Sequence, residues 1–184
     1  LSEDCKRTVD AFIKLGVNIT INDTTISIYG KGLNSLKPPS SIIDAGNSGT
    51  LARLISGVLA VQNFDSSISG DCSLVKRPMK RIIDPLTVAG ANISSSDNLM
   101  PLSFKQSTNL KIINYTCLIP SAQIKSCLIL ASLFLDGTSI IKETIKTRDH
   151  TERMLQFLDY PISINDNVIS IDGNGTISAK DIKI

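Results

Sequence analysis

Apolar residues at helical spacing follow a glycine-rich turn in the first third of the chain. The turn has the sequence DAGNSGT at residues 44–50, and the apolar positions after it include Leu51, Leu54, Ile55 and Val58. Spacings of three and four residues are typical of one face of an α-helix. Glycines at a helix start let backbone N–H groups approach a ligand, and the unpaired N–H groups of the first turn favour an anion. The pattern predicts a helix with a candidate phosphate site at its start, although ordinary N-cap chemistry also explains these residues.

The order of apolar and polar positions repeats along the chain. Alternating apolar residues around a polar turn follow a helix end at residues 15–28, again at 89–104 and again at 158–171. The spacing of roughly 70 residues is too long for a solenoid repeat and suits a whole supersecondary unit. Each unit is predicted to contain a strand, a helix, a strand, a helix and a hairpin.

The first helix of each complete unit is apolar on nearly every face. Residues 48–60 and 121–135 leave little polar surface, and a helix of that kind is buried on all sides. Amphipathic hairpins around buried helices place the sheets on the outside. We therefore expect a mixed α/β (α+β) fold, an inverse α/β barrel of βαβαββ units with buried helices and outer sheets, forming a single domain over residues 1–184.

The first unit is expected to be truncated. Ser48 and Ser121 occupy equivalent positions in the repeat, so a third helix start should lie roughly 70 residues before Ser48, ahead of Leu1. The sequence also begins without Met. We interpret the chain as a fragment whose first unit lacks its opening strand and helix.

Local signals predict where two further helices begin. Ser2 is expected to cap a helix whose inner face carries Cys5, Val9, Phe12 and Ile13. Asp149 and Glu152 have the spacing of a capping box and are expected to open a helix near the end of the chain.

The composition argues against several classes of binding partner, namely nucleic acids, metal ions and membranes. A net charge of +2 without a dense basic block argues against nucleic acid, and the absence of Trp removes the best stacking platform. The four cysteines lack C-x-x-C spacing and the only histidine is His150, so we expect reduced, mostly buried thiols and no metal site. The sequence contains no apolar run of bilayer length and no signal-peptide pattern. A cytoplasmic location without membrane contact is the expectation.

Basic and polar residues at two other helix starts extend the candidate anion site. Lys76, Arg77, Lys80 and Arg81 lie where a strand passes into a helix, and Arg can bind a phosphate or carboxylate through two N–H groups. An anion there would relieve the repulsion between these cations and the helix dipole, whereas a solvated helix end is the alternative. The turn PSAQIKS at residues 120–126 opens the next buried helix, so both helix starts are expected to face one shared site.

Four motifs, in order along the chain, resemble the 5-enolpyruvylshikimate-3-phosphate synthase family. They are GNSGT at residues 46–50, GDCSLVKRPM at 70–79, PSAQIKS at 120–126 and TRDHTERML at 147–155. The resemblance covers essentially the whole chain, and the last two motifs are similar to a bacterial branch distinct from the enterobacterial form. It implies two similar domains, each of three βαβαββ units, that close on substrates at their interface. This chain resembles the N-terminal globular domain.

The resemblance also implies a reaction and a set of binding residues. The family transfers the enolpyruvyl group of phosphoenolpyruvate to the 5-hydroxyl of shikimate 3-phosphate, through a tetrahedral adduct that loses phosphate, in chorismate and aromatic amino-acid biosynthesis. It implies no metal and no organic cofactor. By motif match, the phosphoenolpyruvate contacts are Gly49, Arg77 and Gln123, the shikimate 3-phosphate contacts are Ser121, Ala122, Gln123 and Arg148, and the residues that shape the loop are Asn47 and Thr50.

The family pattern also includes segments that this sequence does not match. An N-terminal Lys-Ser-x-x-x-x-Arg segment would precede Leu1, and the catalytic Asp and Glu belong to the second domain, so the fragment alone is predicted to be inactive. The full-length parent is expected to be a monomer, and Gly at position 49 is typical of members that admit glyphosate. Two alternatives stay open: the related UDP-N-acetylglucosamine enolpyruvyl transferase, whose Cys-bearing loop is not matched here, and a non-catalytic domain that binds a phosphorylated metabolite.

Overall fold

The computed structural model describes residues 1–182, which form five α-helices and ten β-strands. The helices are α1 Glu3–Lys14, α2 Gly49–Leu59, α3 Lys80–Val88, α4 Ala122–Ser132 and α5 His150–Phe157. The strands are β1 Asn18–Asn22, β2 Thr25–Tyr29, β3 Ile43–Asp44, β4 Ser66–Ser69, β5 Asn92–Ser94, β6 Leu102–Lys105, β7 Asn114–Cys117, β8 Thr138–Glu143, β9 Ile162–Asn165 and β10 Val168–Asp172. No helix in this part of the chain is long and apolar enough to cross a membrane.

Two four-stranded sheets have the same topology. Their strand orders are β3-β4-β6-β5 and β7-β8-β10-β9, in which the first pair is parallel and the other two pairs are antiparallel. In both, the order of strands within the unit is first, second, fourth, third. The predicted βαβαββ repeat is therefore confirmed for two units. The helix α1 and the hairpin β1–β2 form the corresponding second half of another unit.

The predicted hairpin turns occur at equivalent places in the first and last units. Asn22 pairs with Thr25, and Asn165 pairs with Val168, so each loop has two residues. Two-residue loops of this kind favour positive φ, which Asp and Asn tolerate better than most residues. The first loop residue of each turn, Asp23 or Asp166, has a φ of 49° or 51°.

The helices α2 and α4 lie at the centre and pack closely against each other. Most residues of both helices are buried. Gly57 allows the close approach, because a Cβ atom at this position would lie 2.1 Å from the carbonyl oxygen of Cys127. Each four-stranded sheet turns one face toward the helices, as the fully buried Ile68 and Ile141 illustrate. Buried helices and outer sheets are thus confirmed.

The predicted inner face of α1 is wrong in part. Cys5 and Ile13 are exposed, whereas Val9 and Phe12 are half-buried and Ala11 is buried. The helix is rotated so that the Arg7 guanidinium meets Asp44 at the end of β3, with an Nη1–Oδ2 distance of 2.6 Å. This contact and the packing of Phe12 against the core leave Cys5 and Ile13 outside the buried side of α1.

The prediction that most thiols are buried is also only half right. Cys117 and Cys127 are buried, but Cys5 and Cys72 are exposed. Exposure of Cys72 follows from its position in the polar turn after β4, where the chain leaves the sheet.

Candidate functional site

The two buried helices begin with the same cap. The hydroxyl oxygen of Ser48 accepts a hydrogen bond from the backbone N–H of Leu51 at 3.2 Å, and that of Ser121 accepts from Ile124 at 3.4 Å. Each side chain satisfies one of the N–H groups that a helix start leaves unpaired. The equivalence of the two helix starts, predicted from the repeat, is confirmed.

At the start of α2, Gly49 lies in a narrow space between two guanidinium groups. A Cβ atom on Gly49 would lie 3.0 Å from Nη1 of Arg53 and 3.0 Å from Nη1 of Arg77. The absence of a side chain at Gly49 therefore allows both cations to approach the first turn of the helix. Gly46, two residues before the cap, has a φ of 55°, and its N–H donates to Asp44 Oδ1 at 2.8 Å.

A chain of polar contacts holds Arg77 beside this helix start. Arg77 Nη2 donates to Asn47 Oδ1 at 3.0 Å, and Asn47 Nδ2 donates to Asp71 Oδ2 at 2.7 Å. The hydrogen bond from Asn47, followed by one from the backbone N–H of Leu74, lowers the pKa of Asp71. Asp71 is therefore a carboxylate at neutral pH and fixes the orientation of the Asn47 amide.

A second chain of contacts joins the two helix starts. Gln123 Nε2 donates to Thr50 Oγ1 at 2.9 Å, and Gln123 Oε1 accepts from Arg53 Nη1 at 3.1 Å. Arg53 Nη1 also lies 3.4 Å from the carbonyl oxygen of Gly49. Both ends of the Gln123 amide are thus held by residues of α2.

Sequence reasoning missed Arg53, the residue that links the two helices. One signal was available: Arg53 lies four residues after Gly49, and residues at that spacing share a helix face. The apolar context of the helix hid this signal, because Arg53 was counted within a stretch expected to be buried.

The electrostatics of the helix start favour an anion. Burial lowers the pKa of Arg53, and the neighbouring charges of Arg77 and Arg81 lower it further. Across the described residues, none of these three arginines takes part in an ion pair, whereas Lys80 pairs with Asp84 at 3.0 Å. A phosphate or carboxylate placed among the arginines would relieve their mutual repulsion.

Arg148 lies apart from this network. It is exposed and immediately precedes the N-cap of α5, and within residues 1–182 no hydrogen bond connects it to Gln123 or Arg77. The predicted capping box is wrong, because the Asp149 side chain makes no cap bond and the Glu152 carboxylate instead binds Lys125. A buried ammonium group is a stronger partner for a carboxylate than a backbone N–H.

The structure therefore divides the predicted site residues into three groups. At the start of α2, two separate hydrogen-bonded chains lie side by side, one joining Arg77 to Asn47 and the other joining Gly49 through Arg53 to Gln123 and Thr50. The start of α4, next to Gln123, holds the residues Ser121 and Ala122. The start of α5 holds Arg148.

The sequence of this chain matches a known protein family along its whole length. The family model described as EPSP synthase (3-phosphoshikimate 1-carboxyvinyltransferase) matches residues 1–184. A 3-phosphoshikimate 1-carboxyvinyltransferase from Ruthia magnifica subsp. Calyptogena magnifica is 49% identical over 182 residues, which are 99% of this chain and 42% of the relative. One from Legionella pneumophila (strain Corby) is 48% identical over 174 residues, covering 94% of this chain and 40% of the relative.

A solved structure agrees with these matches. An EPSP synthase from Acinetobacter baumannii superposes with a TM-score of 0.91 at 41% sequence identity, and the match covers 97% of this chain and 41% of that one. The chain thus spans about 42% of the length of the curated relatives it matches.

Proposed function

The chain belongs to the EPSP synthase family, and on that premise we propose that it supplies one wall of the substrate site of a 3-phosphoshikimate 1-carboxyvinyltransferase. The reaction proposed for the whole enzyme transfers the enolpyruvyl group of phosphoenolpyruvate to the 5-hydroxyl of shikimate 3-phosphate. Phosphate is the other product. One observation supports the assignment to this site: Gly49, Arg77 and Gln123, which are far apart in sequence, come together at the start of α2, where Arg53 bonds to Gly49 and Gln123 and the Arg77 guanidinium lies beside Gly49.

The residue roles follow from charge and position. Arg77, held by Asn47 beside the bare Gly49 position, is proposed to bind the acidic groups of phosphoenolpyruvate. Gln123 lies between the two helix starts and is proposed to contact both substrates. Thr50 supports Gln123 from α2.

Shikimate 3-phosphate is proposed to bind at the start of α4. The residues assigned to it are Ser121, Ala122, Gln123 and Arg148, of which the first three are consecutive around the helix N-terminus. N–H groups at a helix start and an exposed arginine are both suited to a phosphate. Arg148 would therefore approach the ligand from the side of α5.

The arrangement suits a reaction between two anions. Two phosphates and a carboxylate repel one another, so cations and helix N-termini must neutralise them before the hydroxyl meets the enol carbon. Fixed donors such as Arg77 need little reorganisation when the substrates bind. This chain's proposed contribution is thus binding and alignment of the substrates.

The rest of the site is proposed to lie in a second domain of the same enzyme. We propose that residues 1–184 form the N-terminal globular domain, that the catalytic acid and base lie outside it, and that the complete enzyme is a cytoplasmic monomer. The share of its relatives that the chain covers supports a partial site.

The chain alone is expected to show no turnover, and addition of the C-terminal domain should restore it. Turnover by the chain alone, or failure of two folded domains to restore it, would contradict this proposal.

A titration tests the binding assignment directly. NMR spectra of the chain should respond to millimolar shikimate 3-phosphate at residues 121–123, and to phosphoenolpyruvate at Gly49. Arg77→Met should weaken the phosphoenolpyruvate response about tenfold or more, because a charged hydrogen-bond donor is lost. Arg153→Met, on α5, is the matched control and should leave both responses unchanged.

The other outcomes of this titration are equally informative. A response to UDP-N-acetylglucosamine in place of shikimate 3-phosphate would favour the related transferase. Equal responses to inorganic phosphate and to both substrates would favour a general phosphate-binding domain. No response at millimolar ligand would refute binding by this chain.

A further inference from the structure

A buried ionic cluster joins α4 to the segment that carries Arg148. Lys125 Nζ lies 2.9 Å from Glu143 Oε2 and 2.6 Å from Glu152 Oε1. The three side chains are at most 7% exposed. Lys125 is in the first turns of α4, Glu143 ends β8 and Glu152 is in the first turn of α5, so one ammonium group connects three elements.

Further contacts hold the residues on both sides of Arg148. Before it, the backbone N–H of Thr147 donates to Glu143 Oε1 at 3.2 Å, and the Thr147 hydroxyl donates to the same oxygen. After it, the hydroxyls of Thr151 and Ser126 are 2.7 Å apart. Arg148 is therefore exposed but has a fixed residue at each end of its loop.

Stability alone is a weak reason for such a cluster. Taking charges out of water is unfavourable, and buried ion pairs can often be replaced by apolar residues without loss of stability. The cluster also leaves Glu152 Oε2 buried without a hydrogen-bond partner among the described residues. An arrangement with an unpaired acceptor is better explained by the geometry it imposes than by the stability it adds.

We infer that Lys125, Glu143 and Glu152 form a positioning device, which holds Arg148 at a fixed distance from the start of α4 so that both can bind one phosphate. This inference rests on the proposed function, in which Arg148 and residues 121–123 bind shikimate 3-phosphate. None of the three cluster residues touches the substrate. They act through the backbone of residues 147–149.

The Lys125 side chain stays charged at neutral pH. Burial lowers the pKa of Lys125, but the hydrogen bonds and charges of Glu152 and Glu143 together outweigh burial and raise it. Lys125 is thus a cation throughout the physiological range, and the link between the helices persists there.

The first experiment measures the order of the Arg148 loop without a ligand. Glu152→Met removes the link to α5 and leaves Lys125 paired with Glu143, so the chain should remain folded. Backbone NMR order parameters at residues 147–149 should fall from about 0.85 to below about 0.6. Glu152→Gln, whose side-chain oxygen can still accept from Lys125, should restore most of the order.

The matched control is Glu3→Met, which removes a glutamate from the first turn of α1 and from an exposed ion pair with Arg7. It should leave the order parameters of residues 147–149 unchanged. Unchanged order in Glu152→Met would overturn the inference, whatever the chain binds.

The second experiment is a double-mutant cycle on shikimate 3-phosphate binding. Glu152→Met and Arg148→Ala should each weaken binding about tenfold, and the double variant should bind within about twofold of Arg148→Ala alone. Additive effects would show that Glu152 acts independently of Arg148 and would overturn the inference. Failure of the unaltered chain to bind would refute the proposed function, whereas loosening of residues 147–149 in Glu152→Met would still establish the link between the cluster and the loop.

Discussion

Substitution of Gly57 by Ala should push apart the two central helices. Gly57 is inside α2, at the point where this helix lies closest to α4. An added Cβ would be 2.1 Å from the carbonyl oxygen of Cys127, 2.9 Å from its carbonyl carbon and 3.2 Å from its sulfur. Non-bonded carbon contacts normally lie at about 3.5–4.0 Å, so the contact with the oxygen would have to lengthen by roughly 1.4 Å or more.

The expected loss of stability combines two opposing terms. Overpacking of a well-packed core destabilises by about 1–3 kcal/mol. The clash here is with backbone atoms, which cannot rotate away, so the upper end of about 3 kcal/mol applies. Ala in a helix interior is favoured over Gly by about 1 kcal/mol. The net decrease in the free energy of unfolding is therefore about 2 kcal/mol.

Urea denaturation followed by circular dichroism measures this effect. With a slope of about 2 kcal/mol per molar urea, the midpoint of Gly57→Ala should fall by about 1 M. Gly49→Ala is the control, because it lies on the same helix and its Cβ would meet no backbone, but only the ends of two arginine side chains and, at an ordinary 3.8 Å, Leu74 Cδ1. Its midpoint should equal or exceed that of the unaltered chain. Equal midpoints for the two variants would refute the packing argument.

Three further predictions concern the site and the response to pH. Gly49→Ala should bind phosphoenolpyruvate about tenfold more weakly in a titration, because the methyl group would occupy the space between two guanidinium groups; unchanged affinity would contradict this. Arg53→Met should weaken phosphoenolpyruvate binding about tenfold or more, because a charged hydrogen-bond donor is lost. It should also shift the NMR signals of the Gln123 side-chain amide. Unshifted signals would mean that Arg53 does not orient this amide. Burial, and then the charge of Glu143, raises the pKa of Cys117 from 9.0 to about 11. The unfolded thiol therefore ionises first, and stability should fall as pH rises from 9 to 11. Cys117→Val should reduce this slope in denaturation curves, and equal slopes would contradict the assignment.

The repeat and its helix starts could be predicted because their signals are local. Ser48 and Ser121 each cap the residue three positions later, and this spacing can be read from the sequence. The partner of Arg53 could not be predicted, because Gln123 is distant along the chain and meets it only once α2 packs on α4. Glu152 shows that a local spacing can also predict the wrong partner. Its local spacing suits a capping box, but the folded chain offers it a buried ammonium group from another helix.

The repeat supplies two equivalent helix starts, and the proposed site depends on how their side chains differ. The position after the cap is Gly49 in α2 and Ala122 in α4, so only α2 lacks a methyl group there. Four residues later, α2 has Arg53 where α4 has Ser126, and only α2 brings a guanidinium back over its own first turn. Converting Ala122 to Gly would therefore not create a second arginine-lined space. Because two positions in each helix carry this difference, the backbone can repeat while the start of α2 becomes strongly cationic and the start of α4 presents Gln123, the proposed contact to both substrates.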